Sequence, residues 1–231
     1  VDEQHRFGVE QRLALREKGR DGNRFPHQLV MTATPIPRSL TMVLHADMDV
    51  SIIDEMPPGR KTVETVVIPS SRRDEVQERV RRACAEGQRA YWVCPLVEES
   101  SVLDVAAAED RYEQLRIVFK DQVDLIHGRM KGEQKKEAMN AFKNGTTQIL
   151  VATTVIEVGV DVPEATVMVI EHAERYGLAQ LHQLRGRIGR GFGQSTCLLL
   201  YASPLSLMAG ARLKILRETD DGFRIAEEDL K

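Results

Sequence analysis

The sequence predicts an α/β fold with a parallel sheet, chiefly because of a regular alternation between residues 63 and 201. Short apolar segments alternate there with longer segments of helical composition. Strands that alternate with helices form βαβ units, whose parallel sheet is covered by helices on both faces. The residues from Pro204 to Lys231 contain no strand candidate and predict two helices that break near Asp220. The predicted architecture is therefore a helix-covered parallel sheet followed by a helical hairpin.

The region before this alternation predicts isolated elements and then a linker. The segment from Leu29 to Thr34 is short and apolar and ends at a proline, which indicates a buried strand followed by a turn. Helical composition follows from Arg38 to Ala46, and Val50 to Ile53 predicts another short strand. Prolines and a glycine then indicate an interdomain linker. We predict a first segment at 1–53, the linker at 54–62, a main domain at 63–202 and a helical segment at 203–231.

The elements of the main domain follow in order. Strands are predicted at Val63–Ile68, Ala90–Cys94, Val123–Ile126, Gln148–Ala152, Thr166–Ile170 and Thr196–Tyr201. Helices are predicted at Arg73–Glu86, Val102–Phe119, Gly132–Lys143 and Leu178–Arg190. In the first helix Val76, Val80 and Cys84 recur every four residues and form one apolar face. Gly87 and Gly145 follow two of the helices, where C-terminal caps belong.

Composition excludes several classes of protein. The 231 residues carry 32 Lys plus Arg against 35 Asp plus Glu, a net charge of −3, so any DNA contact must be local. Three cysteines without a Cys-x-x-Cys pair argue against a disulfide framework or a zinc ribbon and predict a reducing cytoplasm. No apolar run approaches the roughly 18–20 residues of a membrane span, so no membrane partner is expected. The first residue is Val1 rather than Met, which indicates a piece of a longer chain.

An acidic pair stands at the start of the chain. If Val1 ends a strand, Asp2 and Glu3 lie at its carboxyl end, where α/β sheets bind ligands. Asp2 can then hold Mg²⁺ while Glu3 orients an attacking water, as phosphoryl transfer requires. Taken alone, such a pair is more often a helix start or a solvated end.

Arginines and glycines alternate in the sequence QLRGRIGRG at residues 183–191. On one continuous helix Gln183, Arg187 and Arg190 would share a face, and the glycines would allow close approach. Two planar guanidiniums suit the oxygens of a transferring γ-phosphoryl group. A solvated basic helix or a nucleic-acid phosphate patch is the alternative. Four glycines from Gly186 onward weaken a helix without an evident packing return, which favours arginine fingers.

Polar residues also follow two predicted strands. Thr153 and Thr154 can bind a DNA phosphate. Asp161, close to Gly159, can bind a nucleotide ribose or belong to the network that couples DNA to ATP. Capping of a short helix is the alternative.

The turn at His127, Gly128 and Arg129 follows the other strand. Arg129 can lie on a phosphate that the glycine lets the backbone approach, although a His-Gly pair is usually only a turn.

Two absences bear on function. No Gly-x-x-x-x-Gly-Lys-Ser/Thr occurs, so the loop that cradles ATP phosphates is missing and this chain alone is not expected to hydrolyse ATP. The six histidines are scattered, which does not support a metal site built from protein ligands.

In this order the motifs resemble those of superfamily 2 helicases, in particular the bacterial ATP-dependent helicases of branched DNA. The resemblance covers essentially the whole chain. Residues 2–9 resemble the Walker B segment. Residues 32–38, which include Thr32 and Thr34, resemble the motif that couples the ATP state to DNA. Residues 152–163 resemble motif V, 183–191 motif VI, and 212–231 the translocation motif.

The resemblance implies a fold and a set of roles. It implies a RecA-like P-loop NTPase helicase lobe at 63–202, a C-terminal remnant of the first RecA-like lobe at 1–53, and a truncated helical translocation motif at 203–231. Asp2 would bind Mg²⁺, Glu3 would orient the hydrolytic water, Gln183 would sense the γ-phosphate, and Arg187 and Arg190 would be the fingers. Gly159 and Asp161 would line the nucleotide side; Thr32, Thr34, His127, Arg129, Thr153 and Thr154 would bind DNA or couple it to ATP.

The implied activity is ATP-dependent and Mg²⁺-dependent remodelling of stalled replication forks and Holliday junctions in repair and recombination. The implied setting is the bacterial nucleoid, with a monomeric parent protein and single-stranded DNA-binding protein as a further partner. Two alternatives stay open. One is a non-catalytic RecA-like module that binds DNA or a protein. The other is a transcription-repair coupling factor, for which Asp-Glu-Glu-Gln would be expected where this chain has Asp2-Glu3-Gln4-His5.

Overall fold

The computed structural model describes residues 8–22, 24–31, 49, 51–53, 55, 58–95, 101–153, 162–191 and 193–229. The chain separates into two compact units, Val1–Asp49 and Val50–Lys231. The described part of the first unit holds helix α1 (Val9–Lys18) and an isolated antiparallel bridge between Asp21 and Arg24. Within the described segments no helix combines the length and the apolar character that crossing a bilayer requires.

The second unit contains a six-stranded sheet and six α-helices among its described residues. The strands are β1 (Val63–Pro69), β2 (Arg89–Val93), β3 (Val123–Ile126), β4 (Ile149–Ala152), β5 (Ala165–Ile170) and β6 (Ser195–Tyr201). The helices are α2 (Arg73–Ala85), α3 (Ser101–Phe119), α4 (Gly132–Asn144), α5 (Leu178–Arg185), α6 (Leu207–Glu218) and α7 (Gly222–Asp229). The sheet order is β1-β6-β5-β2-β4-β3, and every pairing is parallel. The predicted parallel α/β sheet and the C-terminal pair of helices are confirmed.

Helices cover both faces of the sheet because side chains alternate along each strand. Tyr91 and Val93 of β2 pack on one face with residues of α4, α5, α6 and α7, whereas Ala90 and Trp92 pack on the other with α2 and α3. The predicted apolar face of α2 is confirmed, since Val76, Val80 and Cys84 are buried. The glycine caps are confirmed as well: Gly87 and Gly145 follow α2 and α4 with φ of 81° and 80°.

Two predicted strands before the linker are wrong where the structure describes them. Leu29 and Val30 belong to no strand and Leu29 is 71% exposed, and residues 51–53 are also outside any strand. An apolar run becomes a buried strand only where neighbouring strands and a covering layer are available, and the described residues of the first unit contain no strand. The remaining parts of these predictions, at 32–34 and 50, and the helix predicted at 38–46 lie outside the described residues.

In a parallel sheet all strands begin on one side of the sheet and end on the opposite side. We call the side where the strands begin the amino edge and the side where they end the carboxyl edge; neither term refers to the outermost strands. The connection between α5 and β6 lies at the amino edge, while His127 and Thr153, which follow β3 and β4, lie at the carboxyl edge. The candidate residues that the structure describes are therefore divided between two places.

Candidate functional site

The arginine loop, residues 186–191, follows α5 at the amino edge of the sheet. The prediction of one helix through Arg190 is wrong, because α5 ends at Arg185 and Gly186 forms its C-cap. The backbone N–H groups of Arg187 and Ile188 bond the carbonyls of Leu184 and Arg185, which tightens the turn beyond the helix. Gln183 therefore lies on α5 while both candidate fingers lie beyond it, and helical spacing does not place the three on one face.

Two glycines hold the arginine loop against the amino ends of the strands. Gly189 has a φ of 75°, and a Cβ there would stand 2.9 Å from Cγ2 of Val63, the first residue of β1. A Cβ on Gly191 would stand 2.6 Å from the carbonyl oxygen of Pro163, just before β5. A side chain at either position would push the loop away from the sheet. The interpretation that these glycines have no packing purpose is therefore wrong.

One buried side chain anchors the arginine loop, and the loop carries two arginines. Ile188 is fully buried, whereas Arg187 is half-buried and Arg190 is exposed, with its Nε 3.5 Å from the Gly186 carbonyl oxygen. Thr62, the last residue of the predicted linker, accepts a hydrogen bond of 3.3 Å from Nε2 of Gln194, just beyond the loop. Two permanently charged guanidiniums on a fixed loop suit an anionic ligand such as a phosphoryl group.

Arg185 joins α5 to the C-terminal hairpin. Its side chain is 5% exposed, and Nη1 donates to the carbonyl oxygens of Leu216 at 2.6 Å and Thr219 at 3.0 Å. The same nitrogen lies 3.0 Å from Oδ1 of Asp220. These carbonyls belong to the end of α6, whose last turn has no intrahelical donors. A side chain two positions before Arg187 therefore caps α6 and pairs with the α6–α7 connection.

Arg212 of α6 makes a second attachment of the hairpin, at the carboxyl edge. Its guanidinium donates to the carbonyl oxygens of Glu174 at 3.0 Å and Tyr176 at 3.3 Å, in the β5–α5 connection. Glu174 in turn accepts from the Ala202 N–H at 3.2 Å, just after β6. The hairpin thus contacts both ends of α5.

His182 shares this network and makes it sensitive to pH. Burial, with a smaller contribution from Arg185, lowers the pKa of His182 from 6.5 to about 4. Nη2 of Arg185 donates to Nδ1 of the neutral ring at 3.0 Å. Between these two pKa values the unfolded chain binds a proton that the folded chain does not, so stability falls as the pH decreases from about 6.5 to about 4.

We expect His182→Asn, which keeps a hydrogen-bond acceptor, to remove this pH dependence. The difference in unfolding free energy between the native chain and His182→Asn should grow by about 2 kcal/mol from pH 4 to pH 6.5. Urea titrations followed by Trp92 fluorescence at several pH values measure it. Parallel stability curves for the two proteins would contradict the prediction.

Two of the buried polar atoms that have no hydrogen-bond partner among the described residues directly follow neighbouring strands at the carboxyl edge, His127 Nδ1 after β3 and Thr153 Oγ1 after β4. His127 is 8% exposed and Thr153 is 1% exposed, and they follow neighbouring strands, with the Thr153 N–H donating to the Ile126 carbonyl at 3.3 Å. Arg129 is exposed nearby in sequence, just before α4 begins at Gly132. Buried polar atoms usually find partners, so this pair suits a polar ligand.

The structure brings some predicted residues together and separates others. It places His127 and Thr153 on adjacent strand ends, and Arg187 and Arg190 on one loop at the opposite edge. Seven predicted residues lie outside the described residues: Asp2, Glu3, Thr32, Thr34, Thr154, Gly159 and Asp161. In the described part of the chain no group of three or more His, Cys, Asp or Glu side chains could hold a metal ion.

Sequence reasoning missed Arg185, Arg212 and Glu171, a buried residue after β5 whose carboxylate accepts hydrogen bonds from Trp92 and Arg111. Arg185 had a visible signal, because it lies four residues after Leu181 on the apolar face of α5. A long polar side chain on such a face is buried and needs partners. Arg212 and Glu171 carry no comparable pattern, since their partners come from distant parts of the chain.

Comparison with known proteins decides the family. Residues 64–192 match the model of the helicase conserved C-terminal domain, which covers more than half of the chain. The chain belongs to this helicase C-terminal domain family. The matched residues run from β1 through the arginine loop. Both the arginine loop and the pair His127 and Thr153 therefore lie within the match.

The whole chain is similar to bacterial proteins named ATP-dependent DNA helicase RecG. It is 58% identical to the protein of Escherichia coli O127:H6 and 59% identical to that of Acidithiobacillus ferridurans, over 100% of this chain in both cases. It spans about a third of their length, 34% and 33% respectively. The resemblance of the motifs to the superfamily 2 helicases is confirmed by these matches.

A solved structure supports the same fold for this chain. A structure titled as RecG bound to a three-way DNA junction matches with a TM-score of 0.78 and 46% identity, over 100% of this chain and 29% of that one. The expected RecA-like helicase lobe with its parallel sheet is confirmed.

Proposed function

We propose that this chain is the C-terminal motor part of an ATP-dependent helicase that acts on branched DNA, and that it remodels stalled replication forks and Holliday junctions. The observation that carries the proposal is the arginine loop, two cations fixed by glycines, in a chain 58% identical over its full length to helicases named RecG. A structure titled as RecG bound to a three-way DNA junction supports branched DNA as the substrate.

The arginine loop is proposed to act on ATP bound by another part of the protein. When bound, ATP with Mg²⁺ supplies the phosphoryl group whose hydrolysis drives movement. Arg187 and Arg190 would hold its γ-phosphoryl oxygens, and their permanent charge fits that anion. Gln183, on the helix that leads into the loop, would sense the same group. Asp2, Glu3, Gly159 and Asp161 keep the roles that the motifs imply.

The carboxyl edge is proposed to hold a DNA strand. The buried His127 Nδ1 and Thr153 Oγ1 can both bond a phosphate or sugar oxygen, His127 as donor and Thr153 as donor or acceptor. Arg129 adds an exposed cation nearby in the chain. Thr32, Thr34 and Thr154 keep their proposed coupling or DNA-binding roles.

The wider context follows from the same proposal. The protein would act as a monomer in the bacterial cytoplasm at the nucleoid, with single-stranded DNA-binding protein as a further partner. Residues 1–53 would complete a first RecA-like lobe, and residues 203–231 would form a translocation motif. Because the sequence contains no phosphate-binding loop, the chain alone would not hydrolyse ATP.

We test the proposal in a full-length chimera, in which this chain replaces the matching third of the Escherichia coli relative. Mg²⁺-dependent ATP hydrolysis is measured with forked DNA and with linear duplex of equal length, with the unaltered relative as a parallel control. We expect hydrolysis to be stimulated much more by forks than by linear duplex.

Two outcomes would contradict the proposal in different ways. Equal stimulation by linear duplex would favour a translocase of the coupling-factor kind. Absence of hydrolysis in the chimera, with an active relative beside it, would favour a module that only binds DNA or protein.

A further inference from the structure

A buried ionic cluster at the carboxyl edge contains none of the candidate residues. We call it the Glu171 cluster; its members are Arg73, Trp92, Arg111 and Glu171. Oε1 of Glu171 accepts a hydrogen bond of 2.8 Å from Nε1 of Trp92, and Oε2 accepts one of 3.0 Å from Nη2 of Arg111. Nε of Arg111 lies 2.6 Å from Oε1, and Nε of Arg73 lies 3.5 Å from it.

The cluster is poorly explained by stability alone. The side chains of Glu171 and Arg111 are only 6% and 12% exposed. Removing two charges from water is so costly that apolar side chains of similar size often hold such a place equally well or better. The two hydrogen bonds that Glu171 accepts from Trp92 and Arg111 are directional and so restrain the geometry of the group. The cluster therefore sets the relative position of the elements that it joins.

These elements are β5, β2, α2 and α3. Glu171 is the first residue after β5, and its N–H bonds the Val93 carbonyl at the end of β2 at 2.9 Å. The chain then passes through His172, at a φ of 50°, and a short 3-10 turn into α5, which ends at the arginine loop. The cluster thus holds the start of the segment that leads to the candidate fingers.

Helix α3 connects the cluster to the proposed DNA edge. Glu109 and Arg111 are two positions apart on this helix, so their side chains project to opposite sides of it. Oε1 of Glu109 lies 3.7 Å from Nε2 of His127 after β3, while Arg111 binds Glu171 after β5. Helix α3 therefore contacts both a candidate DNA-binding residue and the segment that precedes α5.

We infer that Glu171 is a positioning residue that couples DNA binding to ATP hydrolysis, an inference that rests on the proposed function. Through Arg111 it ties α3 to the β5–α5 connection. When a DNA strand binds at His127 and shifts α3, the Arg111–Glu171 ion pair transmits that shift to the β5–α5 connection and so towards the arginine loop. Coupling between distant sites travels through such contiguous packed and hydrogen-bonded groups.

The test uses the same full-length chimera and compares ATP hydrolysis with forked DNA to hydrolysis without DNA. Glu171→Gln keeps the shape and the Trp92 bond but removes the charge that holds Arg111. We expect the ratio of the two rates to fall by about fivefold or more, with the DNA-free rate and the DNA affinity unchanged. Trp92→Phe, which removes one donor and keeps the packing, is expected to give a smaller fall.

Glu64→Gln is the matched control, because Glu64 pairs with Arg79 at 3.5 Å on an exposed surface. It is expected to leave the ratio unchanged. A fall in thermal stability with an unchanged ratio, or an equal fall in both rates, would make the cluster merely structural and overturn the inference. If the unsubstituted chimera shows no DNA stimulation, the proposed function itself fails, which is a distinct result.

Discussion

Replacing Arg185 with alanine is expected to lower the free energy of unfolding of the second unit by about 3–5 kcal/mol, the usual cost of removing one partner of a buried ion pair. The substitution leaves Asp220 without its cation and the Leu216 and Thr219 carbonyls without their donor. The Thr65 hydroxyl, 3.3 Å from Nη1, loses a contact as well. The free-energy cost of leaving these buried groups without partners adds to the cost of losing the packing of a long side chain.

Trp92 is a suitable probe for this prediction, because it is the chain's single tryptophan and is fully buried in the sheet. Urea unfolding followed by its fluorescence measures the global free energy. Hydrogen exchange at the Leu213 and Leu216 amides detects a hairpin that detaches before the sheet unfolds. Arg185→Lys should lose less, since it keeps the charge but not the guanidinium geometry.

Arg217→Ala is the matched control for Arg185→Ala, because Arg217 is exposed on the same helix that Arg185 caps. It removes an equal charge without uncovering buried groups. If Arg185→Ala unfolds at the same urea concentration as Arg217→Ala, and its hairpin amides stay equally protected, the guanidinium does not secure the hairpin.

Periodicity predicted the main domain well, because its elements follow from local pattern and burial together. The run from Val123 to Ile126 forms β3 as predicted. The face of Val76, Val80 and Cys84 is the buried face of α2. In such elements the local preference and the tertiary environment agree, which is the condition under which patterns can be trusted.

The failed helix prediction and the failed strand prediction at Leu29 have different physical causes. Helix α5 stops at Arg185 where a run of glycines begins, with Gly186 as the C-cap and Gly189 at a positive φ. Leu29 is exposed because an apolar residue is buried only where a neighbouring layer exists to cover it. The glycines of the first case are visible in the sequence as signals of a helix end, whereas the second cause depends on tertiary packing.

The division of the candidate residues between two edges also needed the topology. The strand order brings β3 and β4 together, and hence His127 and Thr153, although 25 intervening residues lie between these two positions in the chain. It also places the arginine loop against the starts of β1 and β5, through Val63 and Pro163. Sequence motifs identified the chemical groups, but only strand order determined which of them are neighbours.

The two arginines of the arginine loop are expected to have a large effect on the rate of ATP hydrolysis. In the full-length chimera Arg190→Ala and Arg187→Ala are each expected to lower the rate of ATP hydrolysis by about 10³-fold or more, as loss of an arginine finger does. The guanidinium offers two parallel donors to phosphoryl oxygens as their charge develops, so its contribution arises mainly in the transition state. Arg190→Lys should recover little of the rate, because an ammonium cannot reproduce that fork.

DNA binding separates this role from a simple basic patch. The arginine loop lies at the amino edge, away from His127 and Thr153, so fork affinity should stay near that of the unsubstituted chimera. Arg82→Ala, which removes an exposed arginine from α2, is the control for loss of charge and should change neither property. A basic patch would give the opposite pattern for Arg190→Ala: weaker DNA binding with a steeper loss at high salt, and hydrolysis retained when DNA is saturating. That pattern would remove the finger role and with it the main argument for a motor.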